Sequence, residues 1–158
     1  MRNILTFVSV FLLLSHQSFA AKKVNKSNYF ASMRAMETNV RSGPGTNYPI
    51  KFTYKTKAIP VHVINDYDNW SEIEDYEGQS GWISQSLLTK KRTLIVRISK
   101  DYTNMYKKSN EKSRVIYRLE NNVIGDYVKC IEDWCAIRVN DEKGWVLRSD
   151  VFGGDKLN

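Results

Sequence analysis

The stretch Asn39-Val40-Arg41-Ser42-Gly43-Pro44-Gly45-Thr46-Asn47-Tyr48-Pro49 joins the end of a strand to a Gly-Pro-Gly turn. Gly43 and Gly45 are free to take positive φ, and Pro44 fixes φ near −65°. Together they specify a tight connection. Turn chemistry alone accounts for such a loop. The alternative is that it forms one wall of a ligand groove, since loops on a rigid scaffold are common binding positions. In that case Arg41 and Tyr48 face the ligand.

Outward from this loop, the chain repeats itself. Thr38-Asn39-Val40 returns as Thr103-Asn104-Met105, and Asp68-Asn69-Trp70 as Glu132-Asp133-Trp134. Gly81-Trp82-Ile83 returns as Gly144-Trp145-Val146, and Leu87-Leu88 near Asp150-Val151. Landmarks in one order, repeated at a nearly constant interval, indicate two modules. They join near Lys90-Lys91-Arg92.

Within each module the apolar period is two. Pro60-Val61-His62-Val63-Ile64 alternates, as does Trp70-Ser71-Glu72-Ile73-Glu74; Tyr127–Cys130 and Trp134–Val139 match them in the second copy. Short alternating runs between frequent turns predict an all-β fold of small sandwiches or barrels. A module of about sixty residues has little core, so large residues are expected to carry it. Trp70 and Trp82 are assigned there.

The loop, a tryptophan about thirty residues after it, and Gly81-Trp82-Ile83 about ten further on resemble bacterial SH3 (SH3b) domains. The second copy lacks the Gly-Pro-Gly turn and the arginine but keeps Trp134 and Gly144-Trp145-Val146. The grouping Cys130…Trp134-Cys135 and the ending Val151-Phe152-Gly153 are similar to tandem SH3-like proteins of the α-proteobacterial periplasmic type. The resemblance implies two tandem, partly open SH3-like β-barrels: residues 30–90 for the first and 91–153 for the second, degenerate one, with a tail over 154–158. It also implies recognition of peptidoglycan peptides. Asn39, Arg41, Ser42, Tyr48, Tyr54 and Tyr76 are the candidate ligand-binding residues; tyrosines beside loops suit peptide or glycan stacking.

The N-terminus reads as an export signal. Arg2 precedes an apolar run from Ile4 to Leu14, and small residues stand at Ser18 and Ala20. This pattern predicts a cleaved signal peptide over residues 1–20 and a periplasmic or secreted protein. The apolar run is shorter than the ~20 residues of a spanning helix, so no integral membrane segment is expected in the mature chain. Residues 21–29 read as a basic linker.

The formal net charge is +7. Much of it comes from Lys22, Lys23 and Lys26, while acids nearly balance bases in both modules. A nucleic-acid binder concentrates cations on a folded face, so nucleic acid is not an expected partner. Cys130 and Cys135, opposed across two strands joined by a four-residue loop, are expected to form a disulfide in an oxidising compartment; a free pair and a redox role are the alternatives, although Cys-x-x-Cys is absent. His62 lies in the other module, so no cysteine–histidine catalytic pair is expected. Glu72, Glu74, Asp75 and Glu77 read as a solvated edge. No metal or other cofactor is expected.

The leading expectation is therefore a non-enzymatic binder of cell-wall peptide or of an envelope protein. The alternative is an envelope assembly or scaffold protein acting through contacts of its two packed barrels. N-terminal sequencing of the exported protein is expected to begin at Ala21; an intact Met1 would refute the export signal.

Overall fold

The computed structural model describes residues 23–155; the predicted signal peptide lies outside them. The fold is all-β, in two modules. The first contains β1 (Asn25–Met33), β2 (Thr38–Arg41), β3 (Ile50–Tyr54), β4 (Pro60–Tyr67), β5 (Trp70–Glu74), β6 (Ser80–Ser84) and β7 (Leu88–Thr89). The second contains β8 (Thr93–Val96), β9 (Tyr102–Tyr106), β10 (Val115–Glu120), β11 (Ile124–Ile131), β12 (Trp134–Val139), β13 (Glu142–Leu147) and β14 (Val151–Phe152). A single 3-10 turn precedes both β7 and β14. Strand order is β3-β2-β6-β5-β4-β1-β7 in one sheet and β10-β9-β13-β12-β11-β8-β14 in the other. Among the described residues, no helix is long and apolar enough to cross a membrane.

The repeat extends to individual backbone hydrogen bonds. Met33 N–H donates to Ile59 O at 3.0 Å, and Val96 N–H to Val123 O at 2.9 Å. Arg34 N–H donates to Leu87 O, and Arg97 N–H to Asp150 O. Ala58 and Asn122 take the same left-handed conformation, with φ of 64° and 67°.

Each sheet wraps its own core. Met33, Val40, Val61, Val63, Ile73, Ile83 and Leu88 fill the first; Leu94, Val96, Met105, Cys135, Ile137 and Val146 lie in the second. The tryptophans are not the centre of either. Trp82, at 9 % exposure, lies between Gly81 and Ile83. Those two face the core, so strand alternation turns Trp82 outward. Trp70, Trp134 and Trp145 are half-buried. The β-branched residues of these strands fill so thin a core without them.

Two boundaries differ from the sequence reading. The expected linker 21–29 gives way to β1 at Asn25, where Lys26 pairs with Asn65 and Tyr29 with Val63. Strand β4 is eight residues long and offers a ladder to this polar stretch, which has no alternation of its own. The connection between the cysteines is two residues long, because Ile131 and Trp134 pair with each other. Glu132 takes φ of 47° to close it. Cys130 and Cys135 lie directly opposite, with Cα atoms 4.0 Å apart, and are joined by a disulfide.

The same place in the first module holds a hydrogen bond. Asp66 pairs with Ser71 across β4 and β5. The Ser71 hydroxyl donates to Asp66 Oδ1 at 2.5 Å, and the carboxylate also accepts from Ser27 and Gln85.

The modules are packed together. The Arg92 guanidinium lies 4.0 Å from the ring centre of Tyr127 and 5.3 Å from that of Phe30, and donates to Gly153 O at 2.5 Å. Phe30 meets Phe152 edge-on at 5.4 Å. Thr93 N–H donates to Ser32 Oγ at 3.1 Å, and Thr93 Oγ1 to Ala58 O at 2.6 Å.

A desolvated cation–aromatic contact contributes about 2 kcal/mol, and a hydrogen bond from a charged donor ~1.5–3 kcal/mol. Arg92→Ala is therefore expected to lower stability by at least about 2 kcal/mol and to separate the unfolding of the two modules in a denaturant titration. Replacing both cysteines by serine is expected to leave the second module folded. A loop this short contributes less than the ~3 kcal/mol of a fifteen-residue one, which urea unfolding of the parent and double variant will measure.

Candidate functional site

Strand β2 ends at Arg41 and β3 begins at Ile50, which pairs with it. The intervening loop is braced from both sides. Ser42 N–H donates to Pro49 O at 3.0 Å, Gly45 N–H to Gly43 O at 3.0 Å, and Tyr48 N–H to Gly45 O at 3.3 Å. Arg41 Nη1 donates to Tyr48 O at 2.7 Å and to Thr46 O at 3.2 Å. The arginine thus holds its own loop rather than reaching outward.

The glycines serve close packing, not positive φ. Neither Gly43 nor Gly45 has positive φ. A Cβ on Gly43 would stand 2.4 Å from Cδ1 of Tyr48, and one on Gly45 would stand 2.4 Å from Oδ1 of Asn47. The turn is tight because the Tyr48 ring lies against bare backbone. Tyr48 as a residue remains 41 % exposed.

The second module keeps the loop's backbone although it has lost the Gly-Pro-Gly sequence. Lys107 N–H donates to Arg114 O, Asn110 N–H to Lys108 O, and Ser113 N–H to Asn110 O, bond for bond with the first loop. Ser113 stands at the place of Tyr48 and accepts from Lys108 N–H at 3.0 Å.

The candidate residues do not form one cluster. Arg41, Ser42 and Tyr48 share the loop. Asn39 lies on the outward face of β2 and accepts from Thr53 Oγ1 at 2.7 Å. Tyr54 is at the far end of β3, paired with Thr38. Its hydroxyl donates to Asp75, whose carboxylate also accepts from the backbone N–H groups of Glu77 and Gln79 at 2.8 Å. Tyr54 and Asp75 therefore hold the β5–β6 turn. Tyr76 lies under Arg97 of the second module, with the guanidinium 4.9 Å from its ring centre.

Sequence reading missed the outward face between these groups. Arg41 pairs with Trp82, Trp82 with Glu72, and Glu72 with Asn65, giving one row across four strands. Asn65 Nδ2 donates to Glu72 Oε2 at 2.6 Å. Glu72 and Asn65 were legible only as alternate strand positions, and nothing in the sequence told which face was outward. Among the described residues, no group of three histidines, cysteines or carboxylates could hold a metal. His62 bonds Asn28 Oδ1 at 2.8 Å and packs on Phe30.

Two small barrels with rigid, surface-displayed loops define a tandem SH3-like protein. The chain belongs to the bacterial SH3 domain family, whose profile matches residues 34–90 and 99–153. It is 24% identical over 169 residues to a Bacillus subtilis (strain 168) protein, YrvJ, whose name provisionally assigns it N-acetylmuramoyl-L-alanine amidase activity. That match covers 92% of this chain but 32% of the relative, so the chain spans about a third of its length. Similar solved structures include NlpC2 from Trichomonas vaginalis, with 12% identity, TM-score 0.36, and coverage of 80% of this chain and 48% of that one. An NlpC/P60 family protein from Bacillus cereus ATCC 10987 has 12% identity and TM-score 0.35, covering 78% and 55% respectively.

Burial, and secondly the Asp75 hydrogen bond, push the Tyr54 hydroxyl far above its usual range; burial also raises Tyr29 and Tyr76. A raised folded-state value means that their contribution is complete below the unfolded value near 10 and is lost as pH rises above it. The urea midpoint is expected to fall between pH 9.5 and 11. Tyr54→Phe should flatten that fall in part. Gly43→Ala is expected to expel the Tyr48 ring at a cost of about 1–3 kcal/mol, measurable by chemical denaturation.

Proposed function

We propose that the protein binds cell-wall peptide without catalysing a reaction, and that the Asn39–Pro49 loop of the first module is the contact surface. One observation carries this reading: an exposed tyrosine held on a braced loop. Arg41 ties down the loop's carbonyls, and Gly43 and Gly45 let it tighten, so little conformational freedom remains to be lost on binding. Tyrosine suits such a surface because it offers a large flat apolar face and a polar tip.

The family and the relative's name support the wall as the target. The non-catalytic part rests on the side chains. Both cysteines are joined to each other in the second module, while His62 lies in the first and bonds Asn28. The thiolate–imidazole pair needed for nucleophilic attack on an amide is not assembled from these groups. An exported or periplasmic location agrees with this reading, because a disulfide persists in an oxidising compartment.

Sedimentation with purified peptidoglycan sacculi tests the proposal. The parent protein is expected to co-sediment, and Tyr48→Ala to weaken capture at least fivefold. Losing the ring's packing on Gly43 and Gly45 is expected to cost about 1–3 kcal/mol, as expelling it does, so capture is compared at a temperature where thermal unfolding shows both proteins to be folded. Equal capture of Tyr48→Ala would reject the loop as the contact surface. No capture of the parent would favour the scaffold role, in which an envelope protein is the partner.

A further inference from the structure

The outward face of the second module carries different chemistry at the same sheet positions. In the first module the row across β2, β6, β5 and β4 reads Arg41, Trp82, Glu72, Asn65. In the second, the row across β9, β13, β12 and β11 reads Tyr106, Trp145, Ala136, Lys129. The next row of the first module contains Ser84, Trp70 and Tyr67; that of the second contains Leu147, Trp134 and Ile131. Arginine, glutamate and serine have become tyrosine, alanine and leucine.

The result is an apolar strip on a sheet face. Tyr106 and Trp134 meet edge-on with ring centres 5.7 Å apart. Ile131 is 48 % exposed at one end of the strip, and Tyr102 is 40 % exposed at the other. Beside Tyr102, Tyr106 and Leu147 lies an open groove of about 380 Å³, to which Asn104, Asp101 and Glu111 contribute polar groups. Asn104 Nδ2 donates to the Tyr106 hydroxyl at 3.2 Å, which fixes the ring at the groove wall.

The charges around the strip select its ligand. Lys100, which also lines the groove, bonds Asp150 at 2.9 Å, Arg118 lies 4.7 Å from the Tyr102 ring centre, and Lys129 lies 5.6 Å from that of Trp145. The carboxylates of Asp101 and Glu111 repel phosphate. The strands forming the strip pair on both sides, so an extended peptide finds no free backbone ladder there. A flat, apolar surface edged by an amide and carboxylates matches a neutral ring with C–H faces and hydroxyl rims.

From this placement we infer that the second module is a saccharide-binding module. Its strip of Tyr106, Leu147 and Trp134 stacks pyranose rings, and Asn104, Asp101 and Glu111 bond their hydroxyls. The inference is independent of the first loop and extends the cell-wall reading from peptide to glycan.

The test is a titration of the full mature chain with chitotetraose, followed through the indole N–H resonances. The signals of Trp134 and Trp145 are expected to shift saturably, and those of Trp70 and Trp82 to stay. Tyr106→Arg with Leu147→Ser installs the residues that the first module carries at these positions and is expected to weaken binding at least tenfold. Tyr48→Ala should bind the oligosaccharide as the parent does. Thermal unfolding of all three proteins establishes that they are folded; if the double variant is unstable, Tyr106→Ala alone replaces it.

No saturable shift in the parent would overturn the inference, as would undiminished binding by the variant at Tyr106. Capture of sacculi by the parent in either of those cases would leave the proposed peptide site standing. Conversely, chitotetraose binding by a protein whose Tyr48→Ala variant captures sacculi undiminished would uphold this site and remove the first.

Discussion

A barrel of about sixty residues has room for one layer of side chains, so every strand must commit alternate residues to a single shared interior. The rest follows from this constraint. Val40, Val61, Val63, Ile73 and Ile83 occupy the interior of the first module, and Met105, Ile137 and Val146 lie in that of the second. Gly81 and Gly144 must lack a side chain, because a Cβ on Gly81 would lie 2.5 Å from Val40 Cγ1 and one on Gly144 would lie 2.6 Å from Met105 Cγ. With the inward positions fixed, the outward ones were free to diverge. That freedom explains how two copies keep the same backbone hydrogen bonds yet present an arginine–glutamate row on one barrel and a tyrosine–alanine row on the other.

The copies also solve internal problems differently. The cross-strand position at the β4–β5 turn is locked by Ser71 and Asp66 in one and by Cys135 and Cys130 in the other. The carboxylate needs further donors, supplied by Ser27 and Gln85. The disulfide needs none, and the chain can lie directly on it: a Cβ on Gly154 would stand 2.7 Å from Cys135 Sγ. A second exchange occurs at the 3-10 turns. Buried Asp150 accepts from Thr103 Oγ1 at 2.5 Å and pairs with Lys100. The first module has Leu87 at that place, and the equivalent hydroxyl of buried Thr38 has no side-chain partner. Each module is a viable answer to the same packing problem, so neither is merely an eroded copy of the other.

The period of two and the repeated landmarks made the all-β, two-module fold legible, because alternation and turn order are written in local sequence. The opposition of Cys130 and Cys135 was legible for the same reason; the two-residue turn was not, since Ile131 and Trp134 give no local sign of pairing. The glycines of the loop were assigned to positive φ, but they accommodate the Tyr48 ring, a contact between residues that only the folded loop brings together. Trp82 is buried as its size suggested, although it faces away from the shared interior, whereas Trp70 is only half-buried. Whether a strand residue points in or out depends on register, and here Gly81 and Ile83, on either side of Trp82, face the interior. The candidate site was legible as a loop and not as a surface: Tyr54 and Tyr76 belong to the β5–β6 turn and the module boundary.

The boundary itself adds something that neither module has alone. Arg92, between the rings of Phe30 and Tyr127 and bonded to Gly153, together with the Ser32–Thr93–Ala58 hydrogen bonds, ties the end of one barrel to the start of the next. Arg97 adds a contact from the second barrel to Tyr76 of the first. Two binding surfaces on a flexible tether sample many separations, and the second contact then benefits only from an averaged local concentration. Surfaces held at a fixed separation behave differently: the second contact is nearly free of ordering cost when the target matches their spacing, and gains nothing when it does not. For the two sites proposed above, packing of this kind would favour a ligand with regular spacing between its recognisable groups.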